Sequence, residues 1–270
     1  MVKITNSNFS LEQIANSGQC FRMREIDSGS YEIISKDKYL TAHQSKGSDE
    51  LFFETDEKTF EEYWLHYFDL ETDYGRFISS VDESDLYLYE AVKIGSGIRI
   101  LNQDLWEMIV SFLISQQNNI PRIRKCIDNI CRKYGDKCLS DKGIEYYAFP
   151  SYEQLSMEDE DALMECNLGY RSKYVVRTAK AFANNELSLQ DFENLTYENA
   201  KAKLLSLYGV GNKVSDCIAL FALHHIEAFP IDTHIKQILD AHYKNGFPFD
   251  KYEGYAGVMQ QYMFYRDIKK

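Results

Sequence analysis

The residues with most to offer chemistry lie in one segment, LSLYGVGNKVSDCIALFALHHIEAFPIDTH, from Leu205 to His234. Gly209-Val210-Gly211 joins two apolar helical runs there, and glycine lets the turn pass close to other backbone. The amides of the turn and of the second helix's first turn are then free to bind an anion. Val210, between the glycines, is expected to point inward and pin the turn. Lys213 stands in the first turn of that second helix, near the positive end of its dipole, which disfavours an ammonium. This placement predicts a lowered pKa and a free amine, as a nucleophilic lysine requires. Cys217 follows one turn later on the same face, and the apolar run from Ile218 to Leu223 predicts a desolvated site. Asp232, after Pro230, reads as the N-cap of the next helix. A carboxylate held there, ionised and rigid, suits the stabilisation of positive charge beside a reacting sugar.

Each of these features also has a plain structural reading: a tight helix–helix turn, a surface lysine at a helix start, a capping aspartate. Composition narrows the choice. A chain of 270 residues with 44% hydrophobic content can bury a large core and form one or two domains. No window reaches the apolar length of a membrane span, and MVKITNSNFSLEQIANSG lacks the basic start and apolar core of a secretory signal. The six cysteines (Cys20, Cys126, Cys131, Cys138, Cys166, Cys217) include no Cys-x-x-Cys pair, so reduced thiols and no metal site are expected. These features point to a cytoplasmic, nucleoid-associated and prokaryotic protein. A net charge of −12 argues against broad electrostatic adhesion to nucleic acid. It leaves room for local basic surfaces at Arg122, Arg124, Lys125, Arg132 and Lys133, and at Arg171, Lys173, Arg177 and Lys180. Most of the twenty tyrosines read as packing, with a few rings available for stacking on bases.

Two textures must position the reactive segment. Up to about residue 70, YEIISKDKYLTAHQ and DELFFET alternate apolar and polar residues around turn signals, predicting a small antiparallel sheet. Beyond it the period is helical: Leu105, Ile109, Phe112 and Leu113 form one stripe, and Ile123, Ile127 and Ile130 another. Further helices are expected around SYEQLSM, EDALMEC, RSKYVVRTAKAFAN, SLQDFEN, YENAKAKLLSL, THIKQILDAHYKN and YAGVMQQYMFYRDI. The fold class is α+β, an N-terminal antiparallel sheet domain packed on a larger helical body.

LYGVGNKVSDCIALFAL followed by FPIDTH resembles the helix–hairpin–helix, Gly/Pro…Asp (HhH-GPD) DNA glycosylases, whose hairpin lysine marks the bifunctional members. SGQCFRMRE, SFLISQQNNIPRI, LGYRSKYV and YAGVMQQYMF narrow the resemblance to the 8-oxoguanine DNA glycosylases, in order from Phe9 to Asp267. It implies a sheet domain over 1–75 and a helical glycosylase domain over 76–270, with the catalytic cleft between helical subdomains. Lys213 would attack the anomeric carbon, expel the base and leave a Schiff base open to β-elimination. Asp232 would stabilise the oxocarbenium-like transition state and orient Lys213. Gly18 would offer its carbonyl to the N7 hydrogen that distinguishes 8-oxoguanine from guanine. Gln260 would bind the Watson–Crick edge, and Phe264 and Cys217 would sandwich the flipped base. Gln117, Asn118, Asn119, Arg122, Tyr170 and Arg171 match the residues that fill the emptied stack and read the orphaned cytosine. Gly209, Val210, Gly211 and His234 complete the expected DNA contacts. Gln117 departs from the asparagine of the best-known eukaryotic members, which predicts weaker selectivity for the opposite base.

The resemblance implies a monomer acting on double-stranded DNA with no required cofactor, and a structural cation where the hairpin meets phosphate. Two other readings stand beside it. A non-catalytic protein could use the hairpin only as a phosphate clamp, which the presence of both Lys213 and Asp232 disfavours. A glycosylase for another lesion would usually carry a four-cysteine cluster after the hairpin, and no cysteine follows Cys217.

Overall fold

The computed structural model describes residues 1–269. Five strands form the predicted antiparallel sheet: β1 (Val2–Thr5), β2 (Met23–Asp27), β3 (Ser30–Ser35), β4 (Lys38–His43) and β5 (Glu50–Phe53), in the order β1-β5-β4-β3-β2. The register pairs Val2 with Phe53 and Thr5 with Glu50, so the first strand returns to lie beside the last. Alternation along β5 buries Leu51 and Phe53 completely. Phe53 meets Phe9, Phe60 and Phe68 with ring centroids 5.0–6.4 Å apart.

The N-terminal part is not all strand. A short helix, Leu11–Ala15, is capped by Ser10, whose hydroxyl accepts from the Gln13 amide at 3.2 Å. Helical backbone also runs from Glu57 to Tyr67, started by the Asp56 cap and passing through a π-helical stretch, Phe60–Trp64. Phe60, Trp64, Tyr67 and Phe68 recur there at helical spacing and are all buried, so that stripe overrides the strand-like texture around it.

The chain divides into two compact units that do not follow its order. One comprises Met1–Glu32, Leu40–Asn102 and His224–Lys270; the other comprises Ile33–Tyr39 and Gln103–Leu223. In the first, the last helix, Ala256–Ile268, packs on helix Leu86–Gly95, where Arg266 donates to the Tyr87 carbonyl at 2.6 Å. In the second, helix Leu105–Ser115 is buried along nearly its whole length. Its N-cap, Asp104, accepts from the Glu107 amide at 2.9 Å and pairs with Lys36 at 2.9 Å. Helices Ile120–Tyr134, Ser172–Ala183, Tyr197–Leu204 and Asn212–Phe221 follow the predicted segments. EDALMEC and SLQDFEN form short 3₁₀ turns, Ala162–Cys166 and Leu189–Phe192, in place of α-helix. A ribbon pairing Lys137–Leu139 with Glu145–Tyr147 interrupts the helical body and was not legible in the periodicity.

Candidate active site

The reactive hairpin forms as its glycines require. Helix Tyr197–Leu204 ends before a turn in which Gly209 takes φ +88°, and a Cβ there would stand 2.6 Å from Cγ of Tyr174. Val210 is 8% exposed and turned inward. Gly211 is the N-cap of helix Asn212–Phe221 and supplies no side-chain hydrogen bond to it. A Cβ on Gly211 would meet nothing within 4 Å. The first-turn amides thus have no side-chain cap and the space beside Gly211 is open, an arrangement that can receive an anion.

Lys213 is the second residue of this helix and half-buried, with Nζ 5.5 Å from the centre of the Phe112 ring. Phe112 stacks in turn on Phe221 at 5.6 Å and 16°. From Val214 to Phe221 every residue is buried, Cys217 among them at 4% exposure, so the amine stands at the edge of a dry helix. Asp216, which the sequence did not single out, fastens the two hairpin helices. Its carboxylate accepts from the Tyr197 hydroxyl at 2.7 Å and pairs with Lys201 at 2.7 Å. Burial and this carboxylate together push the Tyr197 phenol up to about 12. Burial disfavours the Lys201 charge, but its bonds to Asp216 and Tyr197 win and raise it.

In the same unit, the loop after helix Leu105–Ser115 is held in an unusual backbone conformation. Gln117 takes φ +48° and is exposed. Asn118 donates to the Ile114 carbonyl at 3.1 Å, and Asn119 caps helix Ile120–Tyr134 by accepting from the Arg122 amide at 3.0 Å. Arg122 is exposed. Tyr170, 42% exposed, brings its hydroxyl to 3.5 Å from Oε1 of Gln117. Arg171 is 4% exposed, and its guanidinium donates to the Gln116 carbonyl (2.8 Å from Nε) and to the Gln117 carbonyl (2.9 Å). The guanidinium thus secures the loop's main chain instead of standing in solvent. Gln116, beside the predicted residues, carries no local sign of its role in the sequence. Its Nε2 donates to the Gly209 carbonyl at 3.0 Å.

The remaining predicted residues belong to the other unit. Gly18, at φ +77°, sits in a turn fastened on both sides. Gln261 donates to the Ser17 carbonyl at 2.5 Å, and Gln19 donates to the Arg99 carbonyl and accepts from the Leu101 amide, both at 2.9 Å. Gln260, next to Gln261 on the last helix, is 4% exposed, and its Oε1 has no hydrogen-bond partner among the described residues. A buried amide oxygen left unpaired costs stability unless something else supplies a donor. Phe264 is half-buried and meets His234 edge to face at 5.7 Å, while His234 pairs with Asp267 at 2.8 Å. Asp232 is the N-cap of helix Thr233–His242, with Oδ1 accepting from the Ile235 amide at 2.8 Å, so the capping reading holds.

Among the described residues no three or more His, Cys, Asp or Glu side chains are grouped to hold a metal ion. Nor is any helix among the described residues long and apolar enough to cross a membrane.

Residues 1–109 match the family profile of the 8-oxoguanine DNA glycosylase N-terminal domain, and residues 110–246 that of HhH-GPD superfamily base excision DNA repair proteins. The chain is 35% identical over 159 residues to an N-glycosylase/DNA lyase of Saccharomyces cerevisiae, a match covering 55% of this chain and 42% of that protein. It is 32% identical over 248 residues to the Arabidopsis thaliana N-glycosylase/DNA lyase OGG1, covering 88% of this chain and 67% of the relative. The structure superposes with a TM-score of 0.90 and 36% identity on the Clostridium acetobutylicum 8-oxoguanine glycosylase/lyase, solved with double-stranded DNA containing cytosine opposite 8-oxoguanine. That likeness covers 97% of this chain and 93% of the other. On these matches, which together span residues 1–246 and superpose nearly the whole chain, the chain belongs to the 8-oxoguanine DNA glycosylase/lyase family of HhH-GPD base excision repair proteins.

Proposed function

We propose that the chain removes 8-oxoguanine paired with cytosine in duplex DNA and then cleaves the strand at the abasic site, with Lys213 as nucleophile. The observation that carries this reading is the hairpin. A half-buried amine stands two residues past a glycine N-cap that gives the helix no side-chain cap and leaves the space beside it open. Phosphate bound to the first-turn amides would bring the neighbouring deoxyribose to Lys213. The amine's lone pair attacks C1′ as the glycosidic bond breaks and the base leaves with the bonding electrons. Nitrogen loses a proton and O4′ takes one as the C1′–O4′ bond breaks, which opens the sugar and gives a protonated imine. Removal of the acidified C2′ proton then leaves the C–H electrons to form the C2′=C3′ bond, and the 3′-phosphate departs with the C3′–O pair.

Asp232 stabilises the positive charge that develops on the sugar. One of its oxygens is held by the Ile235 amide, which keeps the carboxylate rigid. Gly18 accepts from the lesion's N7 hydrogen, a role supported by a turn pinned through Gln19 and Gln261. The unpaired Oε1 of Gln260 supports its reading of the Watson–Crick edge, with Phe264 and Cys217 stacking on the flipped base. Gln117, Asn118, Asn119, Arg122 and Tyr170 occupy the gap and read cytosine, and Arg171 contributes by holding the loop's shape. His234 contacts backbone beside Asp232. A cation at the hairpin would be held by backbone carbonyls of the turn together with phosphate, a hard-oxygen set suited to such an ion, and no step runs through it. The likeness to the Clostridium acetobutylicum enzyme supports a prokaryotic origin, and the six scattered cysteines suit a reducing cytoplasm, where the chain would act as a monomer.

Borohydride should trap a covalent protein–DNA adduct on duplex containing 8-oxoguanine and none on unmodified duplex. Lys213→Gln should abolish trapping. Equal trapping by that variant would refute the nucleophile assignment.

A further inference from the structure

Three elements expected to face DNA converge on Gln116, a residue to which the mechanism above assigns nothing. Its side-chain Nε2 donates to the carbonyl of Gly209, 93 residues away in the hairpin, at 3.0 Å, and to the Leu113 carbonyl at 3.3 Å. Its main-chain carbonyl accepts from two guanidinium nitrogens of Arg171. The neighbouring Gln117, held at φ +48°, has its carbonyl on the same guanidinium at 2.9 Å and its side-chain oxygen near Tyr170. The hairpin side of the linkage is equally confined. Gly209 lies against the Tyr174 face, and Tyr174 meets Tyr170 at 5.7 Å and Tyr208 at 5.4 Å, both edge to face. A closed circuit therefore runs from the Gln116–Gln117 loop through the Gln116 amide to Gly209, across Tyr174 to Tyr170, and back to Gln117.

We propose that Gln116 is a positioning residue that couples the base opposite the lesion to the hairpin carrying Lys213. This rests on the reading of Gln117–Asn119 as the opposite-base reader and of Lys213 as the nucleophile. A wrong opposite base displaces the loop backbone, and the Gln116 side chain carries that displacement to the Gly209 carbonyl. The turn cannot absorb it by moving towards Tyr174, because that ring is already in contact. The displacement passes instead into the start of helix Asn212–Phe221, where a small error in the nucleophile's placement is costly to rate.

Gln116→Met keeps the side chain's length and removes the donor. Single-turnover excision opposite cytosine should fall about tenfold, the value of one hydrogen bond of ordinary strength. Excision opposite adenine, where the alignment is already lost, should change less than about twofold, so the cytosine preference shrinks by nearly the full factor. Affinity for undamaged duplex should stay near wild type, and borohydride trapping on a preformed abasic site should slow opposite cytosine but not opposite adenine. Gln116→Glu serves as the second variant. Its carboxylate, ionised at neutral pH, faces the Gly209 carbonyl without a donor, so its cytosine preference should be lost at least as fully as in Gln116→Met. A fall by one common factor opposite every base and on abasic DNA would make Gln116 merely structural and overturn the proposal. So would a cytosine preference unchanged in Gln116→Met or in Gln116→Glu. A wild-type enzyme with no opposite-base preference would refute the loop reading itself, and the coupling with it.

Discussion

Gly209 and Gly211 flank one valine, yet alanine at the two positions should fail in different ways. At Gly209 the backbone is left-handed at φ +88°, which costs a residue with a Cβ about 1–2 kcal/mol. The added methyl would also stand 2.6 Å from Cγ and 2.9 Å from both Cδ atoms of Tyr174. Forcing an extra carbon into such a packed contact costs about 1–3 kcal/mol. The sum for Gly209→Ala is about 2–5 kcal/mol of stability, a large share of what a domain of ordinary stability has. At Gly211 the backbone is extended (φ −107°, ψ 179°), open to any residue, and the methyl meets nothing within 4 Å. Gly211→Ala should therefore cost under about 1 kcal/mol, as expected where one poor N-cap replaces a fair one. Its methyl would instead occupy the space before the first-turn amides, where phosphate is expected to sit. Loss of one charge-assisted contact, about 1.5–3 kcal/mol, should weaken duplex binding about 10- to 100-fold. Chemical unfolding and fluorescence anisotropy with duplex DNA separate the two effects, and hydrogen exchange over 205–221 localises the first. Equal destabilisation by both variants would refute the steric argument. Wild-type duplex affinity in Gly211→Ala would refute the phosphate seat.

Asp232 should separate its two duties by choice of variant. Asparagine is as good an N-cap as aspartate, so Asp232→Asn should unfold within about 0.5 kcal/mol of wild type yet excise base far more slowly, whereas Asp232→Ala should also lose about 1 kcal/mol to the missing cap. A large stability loss in the asparagine variant would reduce Asp232 to a structural cap. Gln261→Met strands the buried Ser17 carbonyl at a cost of about 1–3 kcal/mol and frees the turn carrying Gly18. Competition between 8-oxoguanine and guanine duplexes should therefore show reduced discrimination, and unaltered discrimination would contradict the pinning role. Burial disfavours the Asp69 charge, but bonds from His224 (3.3 Å), Thr72 (2.7 Å) and Tyr74 (2.8 Å) win and hold its carboxyl below the ordinary range. Its stabilisation is present above the unfolded carboxylate value near 4 and is lost as pH falls through the lower folded value. Asp69→Asn should lower stability at pH 7 and flatten the acid limb of the unfolding profile below about pH 4, and an unchanged acid limb would exclude this cluster as its source.

What this sequence determined by itself was local. Glycine at a left-handed turn, lysine in a first helical turn and aspartate before a helical stripe all owe their places to nearest-neighbour backbone physics. Gly209, Gly211, Lys213 and Asp232 were therefore legible as residue types at a spacing. The sheet was legible for the same reason, since alternation along YEIIS and ELFF shows which face is buried. The lesion-reading residues were legible only by resemblance, because a turn glycine and a helical glutamine carry no local sign of what they face. Tertiary structure decided the support around them. Gln116 reaches Gly209 across 93 positions, and Gln261 reaches Ser17 across 244. Arg171 reads as part of a solvated basic run, yet it is 4% exposed because loop carbonyls without backbone partners needed donors. Such bonds leave no period in the sequence. They exist only where folding brings an unsatisfied carbonyl within reach of a side chain that any surface position would have accepted.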